Sequence, residues 1–187
     1  PTVEYILLGL LSRKPRHGYS LYKTLQGMPN LSRIWQVKRS KLYYLLTRLE
    51  EQGLIAGEHI PGQNRPGRDE FHLTDQGREE FLKWVEKPVE TARHVRLLIL
   101  ARLYFALTIG KPAALRLLEG QLEQCQVWID SLQAELDALV EADFITEQVI
   151  LFRIGQTRAI QDWLTDCQRR VENEDRLIPE DIPDDAS

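Results

Sequence analysis

The sequence predicts a mainly α-helical protein whose first half is a set of short helices closed by a β-hairpin and whose second half consists of long helices. Three observations carry this. Up to residue 52, apolar residues recur at helical spacing in short segments separated by Pro and Gly. Two strand-like runs flank the turn-rich PGQNRPG, residues 61–67. Beyond Gly110, apolar residues advance in an unbroken alternation of three and four. With 187 residues and 43% hydrophobic content, the chain has enough apolar material to bury a core.

The first helix has Val3, Ile6, Leu7, Leu10 and Leu11 on one face, and the second has Leu21, Tyr22, Leu25 and Met28. Pro15 and Gly18 break the chain between them; Gly27, Pro29 and Asn30 break it before the third. The third helix is expected over 39–52. Its Leu42, Leu45, Leu46 and Leu49 form one buried stripe, so Ser40, Tyr44, Thr47 and Glu51 point outward, with Lys41 and Arg48 on one flank and Tyr43 on the other. Gly53 suits the left-handed position that ends many helices. A β-hairpin follows with Arg65 at its tip and Arg68 opening its return strand. Thr74 then N-caps a helix, DQGREEFLKWVEKP, ending near Pro88. Trp35 and Trp84 read as packing residues at the junctions of these helices.

The third helix opens on a basic stretch, with Arg33, Lys38, Arg39 and Lys41 inside nine residues. Its location gives the charge meaning, because the order helix, helix, helix, hairpin, helix is that of a winged helix-turn-helix. There the third helix enters the major groove and contacts bases near its amino end, where unpaired N–H groups and the helix dipole also favour phosphate. Lys38, Arg39, Ser40, Lys41, Tyr44 and Arg48 are therefore the candidate DNA contacts of the helix, and Arg65 and Arg68 those of the wing, suited to phosphate or the minor groove. Net charge agrees. Residues 1–87 hold 14 Lys+Arg against 10 Asp+Glu, whereas residues 88–187 hold 10 against 18. The first half is placed to meet a polyanion and the second does something else.

HGY at 17–19, LYYLLTRLEEQGLI at 42–55 and RDEFHLTDQG at 68–77 resemble the PadR family of bacterial transcriptional regulators over most of residues 1–87. The resemblance implies operator binding by a homodimer and a DNA-backbone contact from Tyr43. Where the family usually has small residues ahead of the leucine-tyrosine pair, this chain has Lys38-Arg39-Ser40-Lys41, which leaves the operator sequence open.

In the second half, HVRLLILARLYFALTIG is apolar on nearly every side and is expected to be buried between the two halves. Leu115, Leu118, Leu122, Cys125, Ile129, Leu132, Leu136 and Leu139 then form a heptad seam on a long helix with Pro112 in its first turn. A second long helix carries Ile145, Val149, Phe152, Ile160, Trp163 and Cys167, interrupted at Gly155-Gln156, and the two make an antiparallel, coiled-coil-like hairpin. This half is read as a dimerisation domain using Leu115, Leu118, Leu122, Ile129, Leu132, Leu136, Val149, Ile160 and Trp163; the rival reading closes both seams within one chain. Long PadR-like proteins dimerise through such helices, and some respond to small aromatic molecules. That makes Phe152, Trp128 and Trp163 a candidate effector pocket, although aromatics at helical spacing are more often core. The expected organisation is a DNA-binding domain over 1–88, a helical dimerisation domain over 89–176 and a disordered tail over 177–187.

The four histidines, His17, His59, His72 and His94, are scattered, and no phosphate loop, dinucleotide fingerprint or nucleophile elbow occurs, so neither an enzyme, a metal nor a cofactor is expected. Cys125 and Cys167 read as buried, reduced thiols. No run is long enough to span a bilayer, and TVEYILLGLLSRKP lacks the flanks of a signal peptide. These features suit a cytoplasmic regulator, expected to repress, whose partner is double-stranded operator DNA. The alternative is a winged-helix module whose long helices bind a protein.

Overall fold

The computed structural model describes residues 2–27, 37–60, 68–90, 92–139 and 144–174, and no side-chain placement for Arg68, Arg93, His94, Arg96 and Leu97. Met28, Trp35, Arg65 and the tail over 177–187 lie outside the described residues. The chain divides into two compact units, the first ending at Val85 and the second beginning at Glu86.

The first unit is a winged helix-turn-helix. Its elements are α1 (Thr2–Leu11), β1 (Arg16–His17), α2 (Gly18–Gly27), α3 (Arg39–Glu51), β2 (Ile55–Ile60), β3 (Arg68–Leu73) and α4 (Asp75–Glu86). The strands form an antiparallel sheet in the order β1-β3-β2, with Arg16 opposite Phe71 and Ile55 opposite Leu73. The two-residue β1 is absent from the sequence reading, which has Pro15 to Gly18 as a break between helices. Two residues are too few to show a strand period.

Leu42, Leu45, Leu46 and Leu49 of α3 are all buried, together with Ile6, Leu7 and Leu10 of α1, Leu21 and Leu25 of α2, Ile55, Phe71 and Phe81. Each leucine removed from water contributes roughly 2 kcal/mol, so the stripe fixes which way α3 faces. Trp84 is buried and stacks on Tyr5 at a centroid distance of 5.0 Å, tying α4 to α1. Gly53 has φ +70° and terminates α3, a conformation that costs most other residues a clash at Cβ. Thr74 caps α4: its Oγ1 accepts the Gly77 N–H at 3.0 Å and donates to the Gly53 carbonyl at 2.7 Å.

The second unit holds α5 (Ala92–Ile109), α6 (Lys111–Asp137) and α7 (Phe144–Asn173), with α5 against α6 and α6 against α7. The α6–α7 pair is an antiparallel hairpin. Leu132 and Leu136 at the end of α6, and Leu139 just beyond it, pack with Ile150 and Ile154 near the start of α7. Farther along, Gln161 donates to Gln126 at 3.1 Å, and at the far end Lys111 donates to the Glu172 carbonyl at 2.6 Å. α7 runs unbroken through Gly155.

The inward stripe of α7 differs from the expected one. It is Ile150, Ile154, Thr157, Leu164 and Val171, with Gln161 and Gln168 half-buried between them, a regular four-three alternation. Thr157 is tolerated there because its hydroxyl donates to the Arg153 carbonyl at 2.9 Å. The stripe of Ile145, Val149, Phe152 and Trp163 points to solvent instead.

Polar groups tie the start of this unit down. Gln121 is fully buried; its Oε1 accepts the Val89 N–H at 2.6 Å and its Nε2 donates to the Val89 carbonyl at 3.3 Å. Arg102 donates to the Lys87 carbonyl, and Arg116 pairs with Glu86 at 3.0 Å. Replacing Gln121 with leucine leaves two buried backbone groups unpaired, at about 1–3 kcal/mol each. Gln121→Leu is therefore expected to lower stability by roughly 2–4 kcal/mol, measured by urea denaturation, although it makes the core more apolar.

Candidate nucleic-acid interface

The exposed face of α3 is basic at its amino end. Lys38 takes the N-cap position with φ −69° and ψ 146° and makes no side-chain cap bond; the first helical bond runs from the Leu42 N–H to the Lys38 carbonyl at 3.1 Å. The N–H groups of the first turn thus point outward without helical acceptors, alongside Arg39, Ser40 and Lys41, all exposed. No carboxylate lies on α3 before Glu50.

Tyrosine rings hold the cations of this surface. The Arg39 guanidinium lies 5.5 Å from the ring centroid of Tyr19 in α2 and 5.6 Å from that of Tyr43. The Lys41 ammonium lies 4.6 Å from the Tyr44 ring, which is also 6.0 Å from Arg48. Such contacts restrict long side chains while leaving their N–H groups available. Tyr43 and Tyr44 are both exposed, on different sides of the helix as their spacing requires.

Arg48 stands apart from the others. It is half-buried and paired at 3.2 Å with Glu4 of α1, whose carboxylate is largely covered. The pair neutralises the charge locally, so Arg48 joins α3 to α1 and is the weakest of the candidate contacts on this helix.

The wing is joined directly to α3. Glu50 Oε1 accepts the Gly57 N–H of β2 at 2.9 Å, so the hairpin leaves the helix at a set angle. Arg68 sits opposite Ile60 at the distal end of the paired strands, next to the Asp69–His59 pair, whose Nδ1–Oδ1 separation is 2.8 Å. His17 lies 3.8 Å from Glu70 across β1 and β3. Among the described residues, no group of three or more His, Cys, Asp or Glu side chains is placed to hold a metal ion, and no helix is long and apolar enough to cross a membrane.

The candidate dimerisation residues separate into two sets. Leu118, Ile129 and Leu132 are buried by their own chain, which corrects their assignment to an interface between copies: the expected seam is used within the chain and leaves them almost no surface for a partner. Leu115, Leu122, Leu136 and Ile160 are half-buried. Val149 and Trp163 are exposed, at 51% and 38%, and continue an apolar face with Ile145 and Phe152. Trp128, Phe152 and Trp163 line an open groove of about 1590 Å³ along α5, α6 and α7, so the three proposed effector residues do converge. The charged residues of its lining are Glu90, Glu135 and Arg153.

A helix-turn-helix pair with a basic, uncapped third helix and an attached wing defines a DNA-binding type of domain. The model of the transcriptional regulator PadR-like family matches residues 7–83. The match to that family is thus confined to this domain, 77 of the 187 residues. A curated relative, the negative transcriptional regulator PadR of Bacillus subtilis (strain 168), is 25% identical over 138 residues, which is 74% of this chain and 75% of that protein. Among solved structures, Bacillus subtilis PadR in complex with operator DNA is similar at 21% identity and a TM-score of 0.46, covering 91% of this chain and 99% of that one. The same protein in complex with p-coumaric acid has 21% identity and a TM-score of 0.41, covering 92% and 97%.

The cysteines take no part in either surface. Cys125 is fully buried and Cys167 half-buried, and burial raises both thiol pKa values above the ordinary range. A raised pKa means less thiolate at any given pH below it. Cys125 is expected to resist iodoacetamide at pH 8 in the folded protein and to react promptly in urea, as read by mass spectrometry.

Proposed function

We infer that this chain is an operator-binding transcriptional repressor acting as a homodimer, with residues 1–88 as the DNA-binding domain and 89–176 as the dimerisation domain. The observation that carries the reading is the basic, tyrosine-held amino end of α3, with Lys38, Arg39 and Lys41 around uncapped N–H groups. The match of residues 7–83 to a family of transcriptional regulators agrees with it, and repression is carried over from the naming of the Bacillus subtilis relative as a negative regulator. Ser40 and Tyr44 on the outward face are the base-edge readers; Lys38, Lys41 and Tyr43, with Arg65 and Arg68 of the wing, hold the backbone. A protein of this type needs neither a catalytic site nor a cofactor, and its work lies in the cytoplasm.

Dimerisation follows from geometry and from the exposed face of α7. A helix-turn-helix protein reads two half-sites about one DNA turn apart, which requires a symmetric pair. Ile145, Val149, Phe152 and Trp163 supply an apolar surface that the chain itself leaves uncovered. The same four residues line the open groove, so a second copy seated on this face would narrow it into a site for a small aromatic effector.

Two measurements test these readings. By fluorescence anisotropy, the protein is expected to prefer DNA from upstream of its own gene over a scrambled duplex, with affinity falling steeply as salt rises. Lys41→Ala is expected to weaken that binding roughly eightfold at about 0.1 M salt, the loss of one phosphate contact. Absence of any preference at every salt concentration would mean either that the operator lies elsewhere or that the basic helix serves a protein partner, which a genome-wide DNA pull-down separates. Separately, Val149→Glu combined with Phe152→Glu is expected to convert the dimer to a monomer in sedimentation, with helix content unchanged.

A further inference from the structure

The amino end of α2 is built into the basic surface, although the readings above give it no role. Arg39 lies over the Tyr19 ring as well as over Tyr43, and Lys23 Nζ is 5.2 Å from the same Tyr19 ring. Lys23, Tyr19, Arg39 and Tyr43 therefore form one continuous row across two helices, and all four are exposed. The row holds two cations and two phenol hydroxyls and no carboxylate. It offers donors, which suit anionic oxygens.

Its geometry depends on the missing side chain at position 18. A Cβ on Gly18 would stand 2.8 Å from Cε1 of Tyr43 and 3.4 Å from Cδ1 of Leu46. The Tyr43 ring rests over the Gly18 backbone, and any larger residue there would push the ring away from Arg39. Ring contacts also keep the Arg39 and Lys23 side chains in few rotamers, so less entropy is lost when they meet an anion.

We propose that Tyr19 and Lys23 of α2 are DNA-backbone contacts, acting with Arg39 and Tyr43 as one preset phosphate-binding row, and that Gly18 is the positioning residue for Tyr43. The inference rests on the DNA-binding reading above. Phosphate is assigned rather than bases because the row lies to the side of the outward face of α3, toward α2, and the first helix of such a pair crosses the backbone. It also separates roles on α3, since Arg39 becomes a clamp while Ser40 and Tyr44 remain free to meet base edges.

The test uses the full chain, a duplex selected from a random pool and a scrambled duplex, by anisotropy across a salt series. Lys23→Gln is expected to reduce the slope of log affinity against log salt by about 0.9, roughly an eightfold loss at 0.1 M salt, equally on both duplexes. Tyr19→Phe, which removes only the hydroxyl, should weaken both complexes several-fold and leave the slope unchanged. Gly18→Ala should weaken binding several-fold in the parent and have no further effect in a Tyr43→Ala background. A purely structural role for Gly18 would persist in that background and overturn its assignment. Parental affinity and slope in Lys23→Gln would overturn the row, and this exposed position keeps the test open if Gly18→Ala does not fold. A parent that binds neither duplex at any salt removes the DNA reading itself, and the row with it.

Discussion

Burial of Leu42, Leu45, Leu46 and Leu49 is the constraint on which the first unit depends. Four leucines at i, i+3, i+4 and i+7 leave α3 one way to sit against α1 and α2, and that choice turns every other side chain to a definite direction. Ser40 and Tyr44 point out, Arg39 and Tyr43 turn toward α2, and Arg48 turns toward Glu4 of α1. The basic surface is thus a by-product of core packing. No interaction among the cations themselves would assemble it, since they repel one another.

Polar contacts then set what hydrophobic burial leaves loose. Glu50 fixes the wing on Gly57, Thr74 ties the start of α4 to the end of α3, and Gln121 holds the segment around Val89 by imitating a peptide group. Each satisfies backbone groups, and around Val89, where water is excluded, leaving them unpaired would be costly. They are also directional, so they specify angles, which nonpolar contact does not.

The two stripes of α7 show how one helix serves two surfaces. Both have helical spacing, and the more apolar of them, Ile145, Val149, Phe152 and Trp163, is the one left in solvent. The stripe that packs inside the chain includes Thr157, Gln161 and Gln168. Regular heptad spacing matched to α6 outweighs hydrophobicity here, because an antiparallel pair buries positions in register and a threonine can bond its own helix. The large aromatic residues are then available for another surface.

Sequence alone determined the order of the helices and the hairpin in the first unit, the leucine stripe, the left-handed Gly53, the Thr74 cap and the basic opening of α3, since each rests on contacts within a few residues. The long helices of the second unit were equally plain from their period. Only tertiary structure decided which stripe of α7 packs inside, that Leu118, Ile129 and Leu132 are covered by their own chain, that Arg48 is paired with Glu4, and that the two residues of β1 complete a sheet. Those outcomes depend on partners distant in sequence: Glu4 lies 44 residues from Arg48, and Phe71 lies 55 residues from Arg16. A periodic pattern tells which residues share a face. What that face meets is settled by the competing surfaces the rest of the chain presents.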